Sequence, residues 1–314
     1  MEEIAQFAAA AQEEIRHDVG WLFRGAIRVI LECLLEQEVK EMVGARRYER
    51  LGSRKDHLNG TYLRRLLTSM GSVELTVPYL YLDATFLDAR WARTVENVSA
   101  LVAYGVDSSG HRRLLGISIG TEESEASWSE LLGQLCERGL SGVELVIADE
   151  HRGLANAVRR QLPEARRQRC TVHLERNVLS KVPHRLRARV AKQLRSIFDA
   201  PSAAEAKTRL HEFASGLGRQ LPEALRCLEQ GLSAATQFYA FPKEHWIRIR
   251  STNGLERLHG EIKRRIRSVG AFPDRHSALR LVTAVALDAT QVWGDRRYLE
   301  MSSLKKTTAE KAIA

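Results

Sequence analysis

The 314-residue sequence lacks the features that mark secreted or membrane-embedded proteins. It has only four cysteines, scattered widely and without a CxxC pair. A disulfide scaffold is therefore disfavoured, and a reducing compartment fits best. The N-terminal stretch MEEIAQFAAAAQEEIRHDVGW is acidic and lacks the basic-then-apolar order of a signal peptide. No apolar run approaches the length of a membrane span. We therefore expect a soluble, cytoplasmic protein with no membrane partner.

Acidic residues are also under-represented relative to basic ones. The chain has 39 Asp and Glu against 48 Lys and Arg, which gives a net charge of +9 and an isoelectric point near 9.6. A basic chain attracts polyanions, and nucleic acid is the first candidate. On charge alone, an ordinary basic soluble protein explains the composition equally well. The positions of the charged residues along the chain must distinguish a nucleic-acid-binding protein from an ordinary basic one.

The pattern of apolar residues and turn signals divides the chain into successive segments. After a helical start and a basic segment with turns, a regular α/β pattern begins at Tyr79 and is interrupted once by a block without strand signals. The predicted segments are 1–45 (helical), 46–78 (small, basic, β and turn), 79–180 (α/β core), 181–244 (helical insertion), 245–298 (second part of the core) and 299–314 (tail).

The α/β segment has a recognisable order of elements. Three strands come first, and the turn Asp107–Gly110 joins the second and third as an antiparallel hairpin. A helix, the buried strand VELVIA, a second helix and a predicted strand RQRCTVHL follow. This succession is the one found in the RNase H-like fold. We therefore predict an RNase H-like core with an all-helical insertion.

Three carboxylates stand at positions where this fold would bring them together. Asp83 lies in the middle of the first strand and shares a face with Tyr81 and Thr85, so on a central strand it needs a partner or a metal. Asp149 ends a buried strand, although it would also serve as the N-cap of the next helix. Glu256 begins a helix with the apolar stripe Leu255, Leu258, Ile262, Ile266 and Val269.

Each carboxylate has a structural alternative. Asp83 would merely face water on an edge strand, and Glu256 would complete a capping box with Asn253. Together, however, three clustered carboxylates suit two Mg²⁺ (or Mn²⁺) ions, which activate an attacking oxygen and stabilise a leaving one. This chemistry is suited to phosphodiester bonds.

At these residues the sequence resembles the Mutator-type DDE transposases of bacterial insertion sequences. The stretches that carry the resemblance occur in the family's order: YLYLDATFLDAR, LLGISIGTEESEASWSELLGQLCERGL, VELVIADEHRGLANAV, QRCTVHLERNVLSKVP and STNGLERLHGEIKRRIRSVGAFP. The resemblance implies that Asp83, Asp149 and Glu256 form the catalytic metal-binding triad. It also implies cleavage and strand transfer at element ends and a homo-oligomer acting on double-stranded DNA near the nucleoid.

Two features qualify the resemblance. Members of the family carry a long segment with helix-turn-helix-like material before the YLYLDA strand, whereas here Pro78 runs straight into Tyr79. The chain therefore resembles an internally shortened member. The family's Cys-x-x-His pair is present as Cys170 and His173, and for it we expect a packing or DNA-positioning role without zinc, because no second ligand pair is visible.

Basic residues concentrate near the predicted site. Between residues 151 and 200 there are 13 Lys and Arg against three acids, and a second cluster lies on the Glu256 helix. Both clusters predict a phosphate track. The candidate DNA contacts are Arg152, Arg169, Arg176, Asn177, Lys181, Arg257, Lys263, Arg264, Arg265 and Arg267. Two alternative functions stay open: a catalytically impaired deletion derivative that only binds DNA, and an RNase H-like nuclease.

Overall fold

The computed structural model describes residues 75–91 and 94–304. The chain divides into Met1–Leu67 and Thr68–Ala314, and every described residue belongs to the second unit. The predicted N-terminal helical segment, nearly all of the basic segment after it and most of the tail lie outside the described residues. None of the helices within the described ranges has the length and apolarity that a membrane crossing requires.

A five-stranded mixed sheet forms the centre of the described unit. Its order is β4-β3-β2-β6-β7; β2, β3 and β4 pair antiparallel, and β6 and β7 continue the sheet in parallel. A separate two-stranded parallel sheet joins β1 to β5. The strands are β1 (Leu75–Thr76), β2 (Tyr79–Trp91), β3 (Thr94–Val106), β4 (Arg112–Gly120), β5 (Leu140–Ser141), β6 (Leu145–Ala148) and β7 (Arg166–Arg169).

Nine α-helices follow or separate these strands in the described ranges. They are α1 (Glu125–Glu137), α2 (Arg152–Gln161), α3 (Thr171–Ser180), α4 (His184–Phe198), α5 (Ala203–Ser215), α6 (Pro222–Ala235), α7 (Trp246–Ile249), α8 (Asn253–Ile266) and α9 (Arg275–Thr290). The mixed α/β class predicted from the sequence is confirmed.

Pro78 explains why one strand-like stretch follows another without a turn. Proline has no backbone N–H to donate, so the ladder of β1 ends before it, and β1 belongs to the other sheet. The carbonyl oxygen of Pro78 accepts hydrogen bonds from the backbone N–H groups of Glu144 and Leu145, both at 3.0 Å. These bonds set β2 beside β6, and Tyr79 pairs with Leu145. The strand after the junction is therefore part of the core.

Helices cover both faces of the sheet because β2 alternates two apolar sets. Leu80 and Leu82 pack with Trp128 of α1 and Leu154 of α2. The opposite side chains, Tyr79 and Tyr81 among them, pack on the other face against a core that includes Leu255 and Ile262 of α8 and Val282 of α9. Asp83 belongs to this second set by the period of a strand. The face predicted for it is confirmed.

A second apolar core lies in the helical block α3–α6. In α4, Val190, Leu194 and Ile197 are buried as their helical spacing predicts. The Ser202 hydroxyl caps α5 by accepting a hydrogen bond from the Glu205 N–H at 3.1 Å. Residues 171–235, all of which the structure describes, contain no strand, so this part of the chain is helical as expected.

Two predicted element boundaries were wrong. RQRCTVHL is not one strand, because β7 ends at Arg169 and α3 begins at Thr171. The apolar stripe of α8 ends at Ile266, since Val269 lies in a 3₁₀ turn and is 38% exposed. The first error matters for the site, because it places Cys170 at a helix N-terminus.

Candidate active site

Asp83 lies in the part of β2 that extends beyond the end of its parallel neighbour β6. The pairing of β2 with β6 ends at Tyr81 and Ile147, whereas the pairing with β3 continues through Asp83 and Val102. One side of β2 is therefore open beside Asp83, although only 14% of its side chain is exposed. The carboxylate accepts a hydrogen bond from the Ala84 N–H at 3.1 Å. The edge-strand alternative for Asp83 was wrong, because β2 is the central strand.

Asp149 follows directly after β6, whose register points it at Asp83. Extending the pairs Leu80–Val146 and Tyr81–Ile147 by two residues brings Asp149 opposite Asp83. Asp149 is half-buried, and its Oδ1 accepts from the Glu150 N–H at 2.6 Å. It is not a helix cap, because the N-cap of α2 is His151, which accepts from the Leu154 N–H. The capping alternative was wrong.

Glu256 stands in the first turn of α8 and faces α3. Arg176 of α3 donates two hydrogen bonds to its two carboxylate oxygens, at 2.5 and 3.0 Å. His173 Nε2 lies 3.5 Å from Glu256 Oε1. The capping-box alternative was wrong: Thr252 is the N-cap of α8 and makes no side-chain cap bond, and Asn253 is already helical. The Glu256 side chain is thus directed into the site and not back along its own helix.

The three carboxylates interact electrostatically. Burial is the largest cause that raises the pKa of Asp83, to about 7, and the negative charges of Asp149 and Glu256 raise it further. His173 and the Ala84 N–H act in the opposite direction. A carboxyl group with this pKa holds its proton near neutrality unless a cation replaces it. Burial and the two neighbouring carboxylates thus both disfavour the charged form of Asp83.

Cys170 and His173 form part of the wall of this site. Cys170 is the N-cap of α3 and His173 lies in its first turn, so both side chains meet at the same end of the helix. Hydrogen bonding with Cys170 is the main cause that raises the pKa of His173 to about 9. Both residues were expected on the strand RQRCTVHL, whereas they lie at the N-terminus of a helix.

Cys170 also ties the two parts of the core together. The backbone N–H and the hydroxyl of Thr252 both donate to Cys170 Sγ at 3.4 Å, and the Cys170 N–H donates to the Ala148 carbonyl at 2.7 Å. Burial opposes ionisation, but hydrogen bonds from His173 and Thr252 hold the pKa of the thiol below its ordinary value. These bonds fix the start of α8 beside the end of β6, which is where Glu256 and Asp149 stand.

His259 belongs to the site and was missed from the sequence. It follows Glu256 by three residues on α8, and its Nδ1 lies 3.5 Å from Asp83 Oδ2. Burial lowers its pKa to about 4, so the ring is neutral at pH 7. The spacing Glu-x-x-His, which puts both side chains on one helix face, was the available signal.

The donor set suits hard divalent cations. Asp83, Asp149 and Glu256 supply carboxylate oxygens, the ligands that Mg²⁺ prefers, and a cation between them would relieve the repulsion that raises the Asp83 pKa. Within residues 75–91 and 94–304, no group of three His, Cys, Asp or Glu side chains is drawn together closely enough to hold a metal ion. Arg176 instead neutralises Glu256. Metal binding would require Glu256 to leave Arg176.

The predicted DNA contacts divide into exposed cations and paired ones. Arg152, Asn177, Lys181, Arg257, Lys263 and Arg267 are exposed, and the described residues provide no hydrogen-bond or ion-pair partner for their side chains. Arg264 and Arg265 are bound by Glu261, and Arg265 also by Asp288. The Arg169 side chain is only 10% exposed and lies beside Glu150. Its placement favours a structural role.

Comparison with known proteins decides the family. The sequence profile described as "Transposase, Mutator family" matches residues 1–79 and 77–295. The chain belongs to the Mutator transposase family. The resemblance inferred from the motifs is thereby confirmed, and the two matched blocks meet at the Pro78–Tyr79 junction.

Curated relatives are transposases of bacterial insertion sequences. The chain is 29% identical to the transposase of ISRM5 from Rhizobium meliloti (strain 1021) over 380 positions, which cover 95% of this chain and 96% of the relative. It is 38% identical to the IS406 transposase of Burkholderia multivorans, over 69% of this chain and 56% of the relative. The IS1081 transposase of Mycobacterium tuberculosis is also 38% identical, over 74% and 57%.

These alignments show what is missing at the junction between Pro78 and Tyr79. An alignment of 380 positions is longer than the 314-residue chain, so the ISRM5 transposase carries residues that this Mutator transposase lacks. The matched part spans little more than half the length of the other two relatives. A solved structure of a simian T-cell lymphotropic virus intasome is 14% identical with a TM-score of 0.21, a similarity too low to bear on the fold.

Proposed function

We propose that this Mutator transposase cleaves DNA at insertion-sequence ends and transfers the strand by a DDE two-metal mechanism on an RNase H-like core. The observation that carries the proposal is geometric: the register of β2 and β6, extended by two residues, sets Asp149 opposite Asp83, and the helix that carries Glu256 places its His259 3.5 Å from Asp83. The sheet order, with three antiparallel strands followed by two parallel ones, supports the proposed core. The names of the curated relatives support the transposase activity.

The carboxylates and their neighbours would have distinct roles in holding the metal ions. Asp83 and Asp149 would share the metal ions, and Glu256 would complete one coordination sphere. Two Mg²⁺ or Mn²⁺ ions, when bound, would activate the attacking oxygen and stabilise the leaving oxygen of an in-line displacement. Before a metal ion binds, Arg176 and His173 hold the Glu256 carboxylate toward the site. Neutral His259 lies against Asp83 and leaves its negative charge available to a cation.

Double-stranded DNA would reach the site along exposed cations. Lys181 and the exposed face of α4, which carries Arg185, Arg189 and Lys192, extend from the end of α3. The described residues provide no ion-pair partner for these four cations. Unpaired cations attract phosphates without reading sequence, and their binding weakens with salt. We further propose that the enzyme acts as a homo-oligomer on paired ends.

The decisive experiment is a nicking assay on supercoiled DNA with purified protein. The parent chain should nick the plasmid with Mg²⁺ or Mn²⁺ and not with EDTA. Glu256→Gln keeps the shape of the side chain but removes its charge, so it should keep the far-ultraviolet circular dichroism and DNA affinity while cleavage falls by at least about a hundredfold. Full cleavage by Glu256→Gln would remove Glu256 from the catalytic set.

A second candidate function is DNA binding without cleavage, by an impaired deletion derivative. The observation in its favour is the junction at Pro78–Tyr79, where the ISRM5 relative aligns with additional residues. Binding of duplex DNA by the parent chain without nicking under any divalent cation would favour this candidate. Cleavage of the RNA strand of a hybrid would instead indicate an RNase H-like nuclease.

A further inference from the structure

Gly260 occupies an unusual place in the helix that carries Glu256. It lies in the interior of α8, four residues after Glu256, and it is exposed. Glycine is among the most destabilising residues in a helix interior, so a glycine there needs a reason. Gly260 does not have the positive φ of a turn glycine, and α8 continues past it to Ile266. The backbone therefore does not require glycine.

Packing does not require glycine either. Apart from its chain neighbours and the adjacent backbone of its own helix, a Cβ atom added at Gly260 would meet no atom of the described residues within 4 Å. Gly254, on the same helix, shows the contrast: a Cβ there would lie 2.4 Å from the Tyr104 hydroxyl, so the fold explains that glycine. At Gly260 no side chain covers the outer surface of the helix backbone. Only something outside the described unit could fill this gap.

The charged residues around Gly260 indicate which kind of molecule binds there. Arg257, Lys263 and Arg267 stand three residues before, three after and seven after Gly260, so all lie on its side of the helix. They span about 15 Å at 1.5 Å per residue. All three are exposed and have no ion-pair partner among the described residues. Arg264 also lies on this side, but Glu261 neutralises it, and Arg265 is paired with Glu261 and Asp288.

We propose that Gly260 is a docking point for the sugar-phosphate backbone of DNA, which approaches α8 closely there and is held by Arg257, Lys263 and Arg267. The inference rests on the proposed function and adds to it the path of the DNA past Glu256. Glycine permits this close approach because it presents no side chain, and the flanking cations supply the attraction. The same surface of a second copy carries these three like charges and would be repelled, which is why we favour DNA.

The test exploits opposite effects on stability and binding. Gly260→Ala should raise the urea midpoint of unfolding, because alanine is the better helix former and has space. The same variant should weaken binding of a fluorescent 30-base-pair duplex about tenfold, and Gly260→Leu should weaken it more. The slope of log affinity against log salt should fall by about one for each phosphate that the variant no longer binds.

Gly133 provides the matched control. It lies inside α1, and an added Cβ would come no nearer than 4.0 Å to Gln161 Nε2. Gly133→Ala should raise the urea midpoint and leave DNA affinity unchanged. Unchanged affinity in both Gly260 variants, with a parent chain that binds and nicks DNA, would overturn the docking point and leave the proposed function standing. A parent chain that does not bind DNA would overturn both. Unchanged DNA affinity with altered sedimentation would assign the gap to a second copy.

Discussion

Replacing Asp83 by asparagine should stabilise the protein while abolishing its cleavage. The pKa of Asp83 is raised from 3.8 to about 7, chiefly by burial and then by Asp149 and Glu256. A group whose folded-state pKa is raised contributes stability that is fully present below pH 3.8 and is lost as the pH rises through about 7. The ionised carboxylate is therefore a cost that grows with pH, and the neutral amide avoids it.

The size of the effect follows from the pKa shift. At about 1.36 kcal/mol per pKa unit, the shift lowers stability by roughly 4 kcal/mol at pH 8, where folded Asp83 is ionised, and by roughly 2 kcal/mol at pH 5, where Asp83 must take up a proton on folding. The gain in unfolding free energy for Asp83→Asn over the parent should therefore be about 2 to 3 kcal/mol larger at pH 8 than at pH 5. Urea denaturation followed by tryptophan fluorescence, with EDTA present, measures both values.

A second aspartate provides a control of opposite sign. Asp107 is also largely buried, but hydrogen bonds from Ser109, Arg113 and the His111 N–H outweigh burial and lower its pKa. Its stabilisation is present above its unfolded pKa and is lost only as the pH falls below it. Asp107→Asn should thus destabilise by the same amount at pH 5 and pH 8. If Asp83→Asn showed this pH-independent loss too, the raised pKa of Asp83 would be refuted.

Three further predictions concern the same site. Adding Mg²⁺ to metal-free protein should raise the melting temperature of the parent and not of Asp83→Asn, as differential scanning fluorimetry would show; equal shifts would place the ion elsewhere. Gly254→Ala should lower stability and cleavage through the clash with the Tyr104 hydroxyl, and adding Tyr104→Phe should restore part of both; no recovery would refute the clash. Arg176→Ala should change the unfolding free energy by less than about 1 kcal/mol, since the Arg176 side chain is solvent-exposed. It should nevertheless lower the Mg²⁺ concentration for half-maximal cleavage by freeing Glu256, and an unchanged titration would refute this.

Much of the fold was predictable from local patterns of apolar residues. The uninterrupted apolar run VELVIA predicted a buried strand, and the structure confirms it, since all four residues of β6 are buried. Helix α4 was predictable from its apolar spacing. The Cys170–His173 stretch was not, because the residues just before it do form a strand and no turn residue marks the change. The Cys170 N–H still donates to the Ala148 carbonyl of β6, so α3 begins directly at the end of the ladder.

The strand positions of Asp83 and Asp149 were predictable from the sequence, but the pairing of Glu256 was not. Asp83 and Asp149 are set by strand register, which period and order alone specify. The partnership of Glu256 with Arg176 joins residues 80 positions apart on two helices, and no local pattern encodes it. His259 was within reach, since a spacing of three on a helix places it beside Glu256. Its contact with Asp83 depends on how α8 packs over β2.

The junction at Pro78–Tyr79 separates two requirements of transposition. Every residue of the candidate site follows it, and β2 is held in register by bonds from Glu144 and Leu145 to the Pro78 carbonyl and from Tyr79 to His245. These bonds need nothing from the additional residues of the longer relatives. We therefore expect that inserting the corresponding segment at the junction changes which DNA ends are cut but leaves the Mg²⁺ dependence of nicking as it is. A change in that dependence would mean that the connector helps to build the carboxylate cluster, and the site could then not be treated as complete in the shortened chain.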